Sequence, residues 1–120
     1  MIEEYRFGSI TINGKTYNFD VEALWTGEVL KWRRKESHLI DVVDVEKAVK
    51  SNPDTIVIGT GESGVAQITE EAKKFISEKG IRLVINKTEE AVKVFNIILN
   101  ELEKEEGKQN KAIGLFHLTC

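Results

Sequence analysis

The sequence predicts an α/β domain in which a βαβαβ core follows an N-terminal β-meander. The first third is rich in β-forming residues and carries two hairpin signals. After residue 54, three apolar runs alternate with two amphipathic segments. These runs show little alternation of polar and apolar residues, which is typical of strands covered on both faces of a parallel sheet.

The composition fits a soluble protein with one domain over residues 1–120. Lys and Arg number 17 and Asp and Glu 20, so the net charge is −3, with 41% apolar and 31% charged residues. One Cys excludes an internal disulfide, and no apolar run approaches the ~20 residues of a membrane span. The acidic start lacks the layout of a signal peptide. We therefore expect a cytoplasmic protein without membrane contact or cofactor. The excess of Lys and Glu over Arg and Asp leans towards a heat-adapted source.

Two hairpins are predicted in the first third. The first strand covers 5–12, turns at Asn13-Gly14 and returns over 15–19. The second hairpin covers 22–25, turns at Thr26-Gly27 and returns over 28–33. Two aromatic side chains, Trp25 and Trp32, are expected to pack between this meander and the sheet.

Three helices are predicted after the hairpins. Asp44 is expected to cap a short helix over 45–50. A second helix covers 69–79 and ends before Gly80, and Thr88 is expected to cap a third. The apolar stripe of the third helix is Val92, Phe95, Ile98 or Leu99, and Leu102.

The core strands are predicted over 55–58, 81–85 and 112–118. Single helices connect them, so we expect parallel strands whose carboxyl ends lie at one edge. That edge would bring together the turn over 59–64, Asn86 and His117. Ligands of open α/β sheets collect at such an edge.

The sharpest local motif is Gly59-Thr60-Gly61-Glu62-Ser63-Gly64, which follows a strand and matches G-x-G-x-x-G. Amides of such loops can bind phosphate at a helix N-terminus. The charge of Glu62, the late start of the next helix, and Asn86 in place of an acidic residue weaken a dinucleotide interpretation. Two interpretations stay open: a sharp turn that needs positive φ, or an anion-binding loop.

For the other reactive residues, the sequence favours structural or solvent-exposed roles over catalysis or metal binding. Ser63 fails the G-x-S-x-G pattern of a nucleophile elbow, so a loop serine is expected. His117 and Cys120 are three residues apart, which on a strand directs them to opposite faces, and no metal site is predicted. The basic run over 31–35 could touch nucleic acid, but the acidic balance favours a solvated strand end.

The sequence resembles the Mth-type domain family, which includes mitochondrial complex I assembly factor 3 and the adipogenesis-associated Mth domain-containing protein. The resemblance rests on Ile-Val-Ile-Gly-Thr-Gly at 56–61, Glu-Glu-Ala-Val-Lys-Val-Phe-Asn at 89–96, His-Leu-Thr-Cys at 117–120, and the opening Tyr-Arg-Phe-Gly-Ser-Ile at 5–10. It implies a three-layer domain with a mixed central sheet and no established catalytic activity. The family's marked positions correspond to Gly59, Thr60, Gly61 and Asn96.

Two functions are therefore carried forward. The first is a non-enzymatic interaction or assembly domain with an unknown protein partner or self-association, which the lack of a complete catalytic set and the resemblance both favour. The alternative is a domain that binds a small polar ligand or anion, either as a binding module or as an enzyme. Its predicted ligand-binding residues are Gly59, Thr60, Gly61, Glu62, Ser63, Asn86, Asn96 and His117.

Overall fold

The computed structural model describes residues 1–101 and 111–120 and confirms the α/β class. A five-stranded mixed sheet forms the middle layer. Two helices cover one face, and the third helix with a separate three-stranded sheet covers the other. Among the described residues, no helix is long and apolar enough to cross a membrane.

The N-terminal sheet contains three antiparallel strands, where the sequence predicted two. The predicted strand over 5–12 is broken at Phe7-Gly8, because Gly8 adopts a φ of +82° that turns the chain. The strands are β1 (Ile2–Arg6), β2 (Ser9–Ile12) and β3 (Lys15–Tyr17). Asn13-Gly14 forms the second turn as predicted, with φ values of 50° and 82°.

The second hairpin belongs to the central sheet. It consists of β4 (Val21–Leu24) and β5 (Val29–Lys31), and the latter is shorter than the predicted 28–33. Trp32 follows it and packs with Trp25 in the core beneath the first two helices. The expectation that these rings separate the meander from the sheet was wrong, since the meander packs on the opposite face.

The three core strands are parallel, as predicted. They are β7 (Thr55–Thr60), β9 (Arg82–Asn86) and β10 (Ala112–His117). The order across the sheet is β5-β4-β10-β7-β9, with β4 antiparallel to β10. Two short parallel strands that the sequence did not reveal, β6 (Leu39–Ile40) and β8 (Gln67–Ile68), pair outside this sheet.

The helices α1 (Val42–Lys50), α2 (Glu70–Glu78) and α3 (Thr88–Asn100) begin at residues that differ from the prediction. Asp41 caps α1, and Asp44 closes a capping box from inside the helix, so α1 starts earlier than predicted. Thr69 caps α2. Thr88 does not cap α3, because its hydroxyl is used elsewhere. Leu102 of the predicted stripe lies outside the described residues.

The sheet buries a different apolar set on each face. Ile56, Ile58 and Leu115 pack against α1 and α2. Val57 and Phe116 pack against α3 and the N-terminal sheet, and the Phe116 ring meets the Phe95 ring edge-to-face at 5.6 Å. Burial on both faces explains why these strands lack alternation in the sequence.

Candidate functional site

The carboxyl ends of the parallel strands meet at one edge of the sheet. In the strand register, Thr60 lies beside His117, and Gly59 lies beside Asn86. The predicted neighbours are therefore adjacent along the backbone. Their side chains serve different purposes, and whether any of them binds a ligand stays a prediction.

Backbone amides of the glycine turn donate hydrogen bonds to carbonyl oxygens of the chain itself. The amide of Glu62 donates to the carbonyl of Thr119 at 2.7 Å, and that of Val65 donates to the carbonyl of Cys120 at 3.3 Å. The amides of Gly64 and Ala66 donate within the loop. An anion-binding loop needs free amides. Here the amides of Glu62 and Val65 are bonded to C-terminal carbonyls, and those of Gly64 and Ala66 to carbonyls of Gly61 and Thr60.

Two glycines of the turn are explained by close approach. Gly61 has a φ of +103°, and a Cβ there would lie 2.6 Å from the carbonyl oxygen of Cys120. A Cβ on Gly59 would lie 2.8 Å from Oγ1 of Thr88. Both positions require glycine for the packing of the edge, as the turn interpretation of the motif predicts.

Thr88 connects the glycine turn to the end of β10. Its fully buried hydroxyl accepts a hydrogen bond from the amide of Gly61 at 2.8 Å and donates one to the carbonyl of His117 at 2.6 Å. The sequence marked Thr88 only as a helix cap. Its position directly after a core strand was the signal for a role at this edge.

The imidazole of His117 lies in a buried charged cluster that the sequence did not reveal. Nδ1 lies 2.8 Å from Oδ2 of Asp20, and the guanidinium of Arg34 donates to the same oxygen at 2.6 Å. Oδ1 of Asp20 accepts the amide of Leu118 at 2.8 Å. Nη2 of Arg34 also lies 2.7 Å from Nδ1 of His117, so each of the three side chains contacts the other two.

The electrostatics of this cluster follow from its burial. The side chains of Arg34 and His117 are 6% and 5% exposed. Burial by itself raises the pKa of Asp20, but hydrogen bonds from His117, Arg34 and the amide of Leu118 outweigh it, so the pKa lies below its ordinary value of 3.8. Asp20 thus stays charged and joins the start of β4 to the end of β10.

His38 and Cys120 extend this cluster to the surface. The ring of His38 meets that of His117 at 6.5 Å, edge to face, and Sγ of Cys120 lies 3.8 Å from Nε2 of His38. The described residues contain no group of three or more His, Cys, Asp or Glu side chains placed to hold a metal ion.

The remaining predicted residues are Glu62, Ser63, Asn86 and Asn96. Glu62 and Ser63 are exposed on the loop, and Asn86 contributes its carbonyl oxygen to the hydroxyl of Thr60 at 3.2 Å. Asn96 lies on α3, and its side chain bonds to the backbone of Ile2 in β1. Oδ1 accepts from the Ile2 amide at 2.9 Å, and Nδ2 donates to the Ile2 carbonyl at 2.8 Å. The structure does not bring Asn96 to the carboxyl edge.

A cavity of about 330 Å³ opens beside the glycine turn. Thr60 and Gly64 come from the predicted motif, and Ile68 and Ile85 add apolar surface. The other lining residues are Ala66, Gln67, Glu70 and Lys73. The sequence missed this wall because it is built by β8 and the first turn of α2, which the motif does not include.

Strand β9 forms the border of this cavity and the end of the sheet. Within the described chain, it has a hydrogen-bonded neighbour, β7, on one side only. Ile85 on this strand is 39% exposed. Arg82 begins the strand and Lys87 follows it, so its flanks are basic.

The comparisons with known proteins agree with this fold. A family model described as a protein of unknown function (DUF498/DUF598) matches residues 2–105. A conserved hypothetical protein from Pyrococcus horikoshii is similar over 100% of this chain and 99% of its own, with 28% identity and a TM-score of 0.81.

Two further solved structures are similar over nearly their whole length. The protein MT938 shares 26% identity, with a TM-score of 0.74 over 100% of this chain and 98% of its own. A protein from Bartonella henselae, described as an outer membrane protein, shares 17% identity, with a TM-score of 0.78 over 99% of this chain and 94% of its own. The last likeness concerns the fold alone.

Proposed function

For this chain, which belongs to the DUF498/DUF598 family of unknown function, we propose a role as a protein-interaction domain that binds an extended segment of a partner along β9. The observation that carries the proposal is the edge of β9 beside the cavity, where no other described strand pairs with it. An edge strand presents unpaired amide and carbonyl groups, and an added strand satisfies them.

The cavity supplies selectivity for one side chain of the partner. Ile68 and Ile85 offer apolar contact, and the volume of about 330 Å³ accommodates a large aliphatic or aromatic side chain. In strand addition, backbone hydrogen bonds provide affinity and such pockets provide specificity.

Charge defines the rest of the partner segment. Arg82 and Lys87 flank β9, and the strand between them carries no acidic residue. We therefore infer a segment in which an apolar residue is bordered by Asp or Glu.

The resemblance to Mth-type domains, some of which look like assembly proteins, supports an interaction role. The single free Cys120 supports a cytoplasmic location, where thiols stay reduced.

The test is selection of peptides from a displayed library, followed by calorimetry with the synthetic peptides. Selected sequences should share an apolar residue next to acidic residues. Ile85→Lys should weaken binding at least tenfold, since it puts a charge at the cavity wall. Ile97→Lys is the matched control, because Ile97 is 55% exposed on α3 and does not line the cavity. Equal loss in both variants, or none in Ile85→Lys, contradicts the proposal. Self-association of the unbound chain through β9 would contradict the assigned occupant.

The same cavity supports a second candidate, a small polar ligand bound beside the turn over 59–64. The observation in its favour is that Thr60 and Gly64 line the cavity together with Gln67 and Lys73. A thermal-shift screen with nucleotides, dinucleotides and inorganic phosphate tests it. A ligand at 100 times its dissociation constant adds about 2.7 kcal/mol of stability. Thr60→Ala should remove the shift, and unchanged melting curves across the panel would reject this candidate.

A further inference from the structure

A second cavity, of about 180 Å³, lies near the opposite border of the sheet from β9. It is formed by β4, β5, the residues after β5, and α1. The lining residues are Glu22, Lys31, Trp32, Arg33, Val43, Asp44 and Lys47. From the sequence, Lys31 and Arg33 were expected in a solvated strand end, and Glu22 was expected only as the first residue of a strand.

Glu22 carries a buried carboxyl group, one oxygen of which lacks a hydrogen-bond partner among the described residues. The residue is 3% exposed, and its Oε2 has no hydrogen-bond partner among the described residues. On β4, Val21 and Ala23 face the core beneath α3, so Glu22 points to the α1 side, where the cavity is. Buried polar atoms are normally paired, so an orphan carboxyl oxygen at a cavity wall indicates an absent partner.

Asp44 provides the contrast within the same cavity. Its Oδ1 accepts the amide of Lys35 at 3.1 Å, and its Oδ2 accepts the amide of Asp41 at 2.8 Å. Both oxygens are thus committed to holding the start of α1. Of the two acidic residues that line the cavity, only Glu22 retains an unpaired oxygen.

The remaining charges that line the cavity are positive. Lys31, Arg33 and Lys47 are exposed, and none forms an ion pair within the described part of the chain. Lys31 pairs with Val21 in the strand register, so its side chain lies on the α3 face of the sheet, with its ammonium 5.4 Å from the centre of the Phe19 ring. The cavity therefore has an acceptor at its buried end and two cationic groups near its mouth, Arg33 and Lys47.

We propose that this cavity binds a small zwitterion whose ammonium group donates to Glu22 and whose anionic group contacts Lys47. A cation at the buried end supplies the partner that Oε2 lacks and compensates for burial of the carboxylate. The volume corresponds to about six water molecules, which limits the ligand to the size of a small amino acid or phosphoamine. The site is independent of the proposed function at β9.

The test is calorimetry of the full chain with L-alanine and with phosphoethanolamine, which distinguish a carboxylate from a phosphate as the anionic group. Propionate and ethylamine are the controls that carry one group each. We expect one zwitterion to bind at least tenfold more tightly than either control. Failure of both zwitterions to bind, or equal binding of propionate or ethylamine, overturns the proposal.

The variants locate the binding. Glu22→Gln should weaken binding of the zwitterion at least tenfold, and Lys47→Gln at least threefold. Lys74→Gln, an exposed lysine of α2 outside the cavity, should leave it unchanged. Retained affinity in Glu22→Gln overturns the proposal. If that variant fails to fold, equal affinities in Lys47→Gln and Lys74→Gln overturn it.

Discussion

Gly61 meets the C-terminal residues at a distance that leaves no room for a side chain. Gly61→Ala combines a positive φ with a clash against backbone atoms of Thr119 and Cys120, so we expect a loss of about 2 kcal/mol or more. Gly80→Ala is the matched control, because Gly80 has a φ of +72° with nothing within 4 Å, and should lose about 1 kcal/mol. Urea unfolding measures both, and equal losses would contradict the close packing at Gly61.

Asp20 makes stability depend on acid pH. Its pKa in the folded protein lies below the ordinary 3.8, so its contribution is present above that value and lost as the pH falls through the folded pKa. Asp20→Asn leaves Arg34 and His117 without their shared carboxylate and should cost about 3 kcal/mol near neutral pH. Urea unfolding over a pH series should show this cost shrinking in acid. A cost that is independent of pH would contradict the assignment.

The pKa of Glu22 is shifted in the opposite direction to that of Asp20, so its effect on stability has the opposite pH dependence. Burial raises its pKa above 4.5, Lys47 opposes this shift, and Glu28 adds to it. The stabilising effect of its proton is complete below 4.5 and is lost as the pH rises through the folded pKa. Glu22→Gln should therefore gain stability relative to the wild type as the pH rises from acid to neutral, as followed by thermal melting. A steady difference across this range would contradict a buried, unpaired carboxyl group.

At the scale of elements, Asn96 attaches β1 to α3. Asn96→Ala removes both partners of the Ile2 backbone and should cost about 1–2 kcal/mol. Hydrogen exchange at the amide of Ile2 should accelerate. Lys93→Ala on the same helix removes only an exposed pair with Glu90 and should stay within about 0.5 kcal/mol. Unchanged protection of Ile2 in Asn96→Ala would show that β1 is held by other contacts.

Element types were more predictable than their ends. Continuous apolar runs indicated β7, β9 and β10 because burial on both faces leaves a direct mark in the sequence. The predicted start of α1 was wrong because Asp41 and Asp44 are both acceptable N-cap residues, and only the hydrogen bonds in the structure distinguish them. Strands β6 and β8 contain two residues each, too few to show a period.

At the scale of the whole molecule, parallel topology predicted that the turn over 59–64, Asn86 and His117 would lie at one edge of the sheet, and the register places Thr60 beside His117 and Gly59 beside Asn86. Side-chain partners could not be predicted in the same way. Asp20 and Arg34 come from distant parts of the chain, and no local pattern indicates that they meet at His117. The closing of the turn by Thr119 and Cys120 is likewise a tertiary contact. The heat-adapted source stays a prediction from composition.

The most direct measurement is a crystal structure of the domain with the tightest peptide selected on it. The account predicts that the peptide extends the sheet as a strand hydrogen-bonded to β9, with its apolar side chain in the cavity beside Ile85. A peptide seated elsewhere, with the edge of β9 still unpaired, would contradict it.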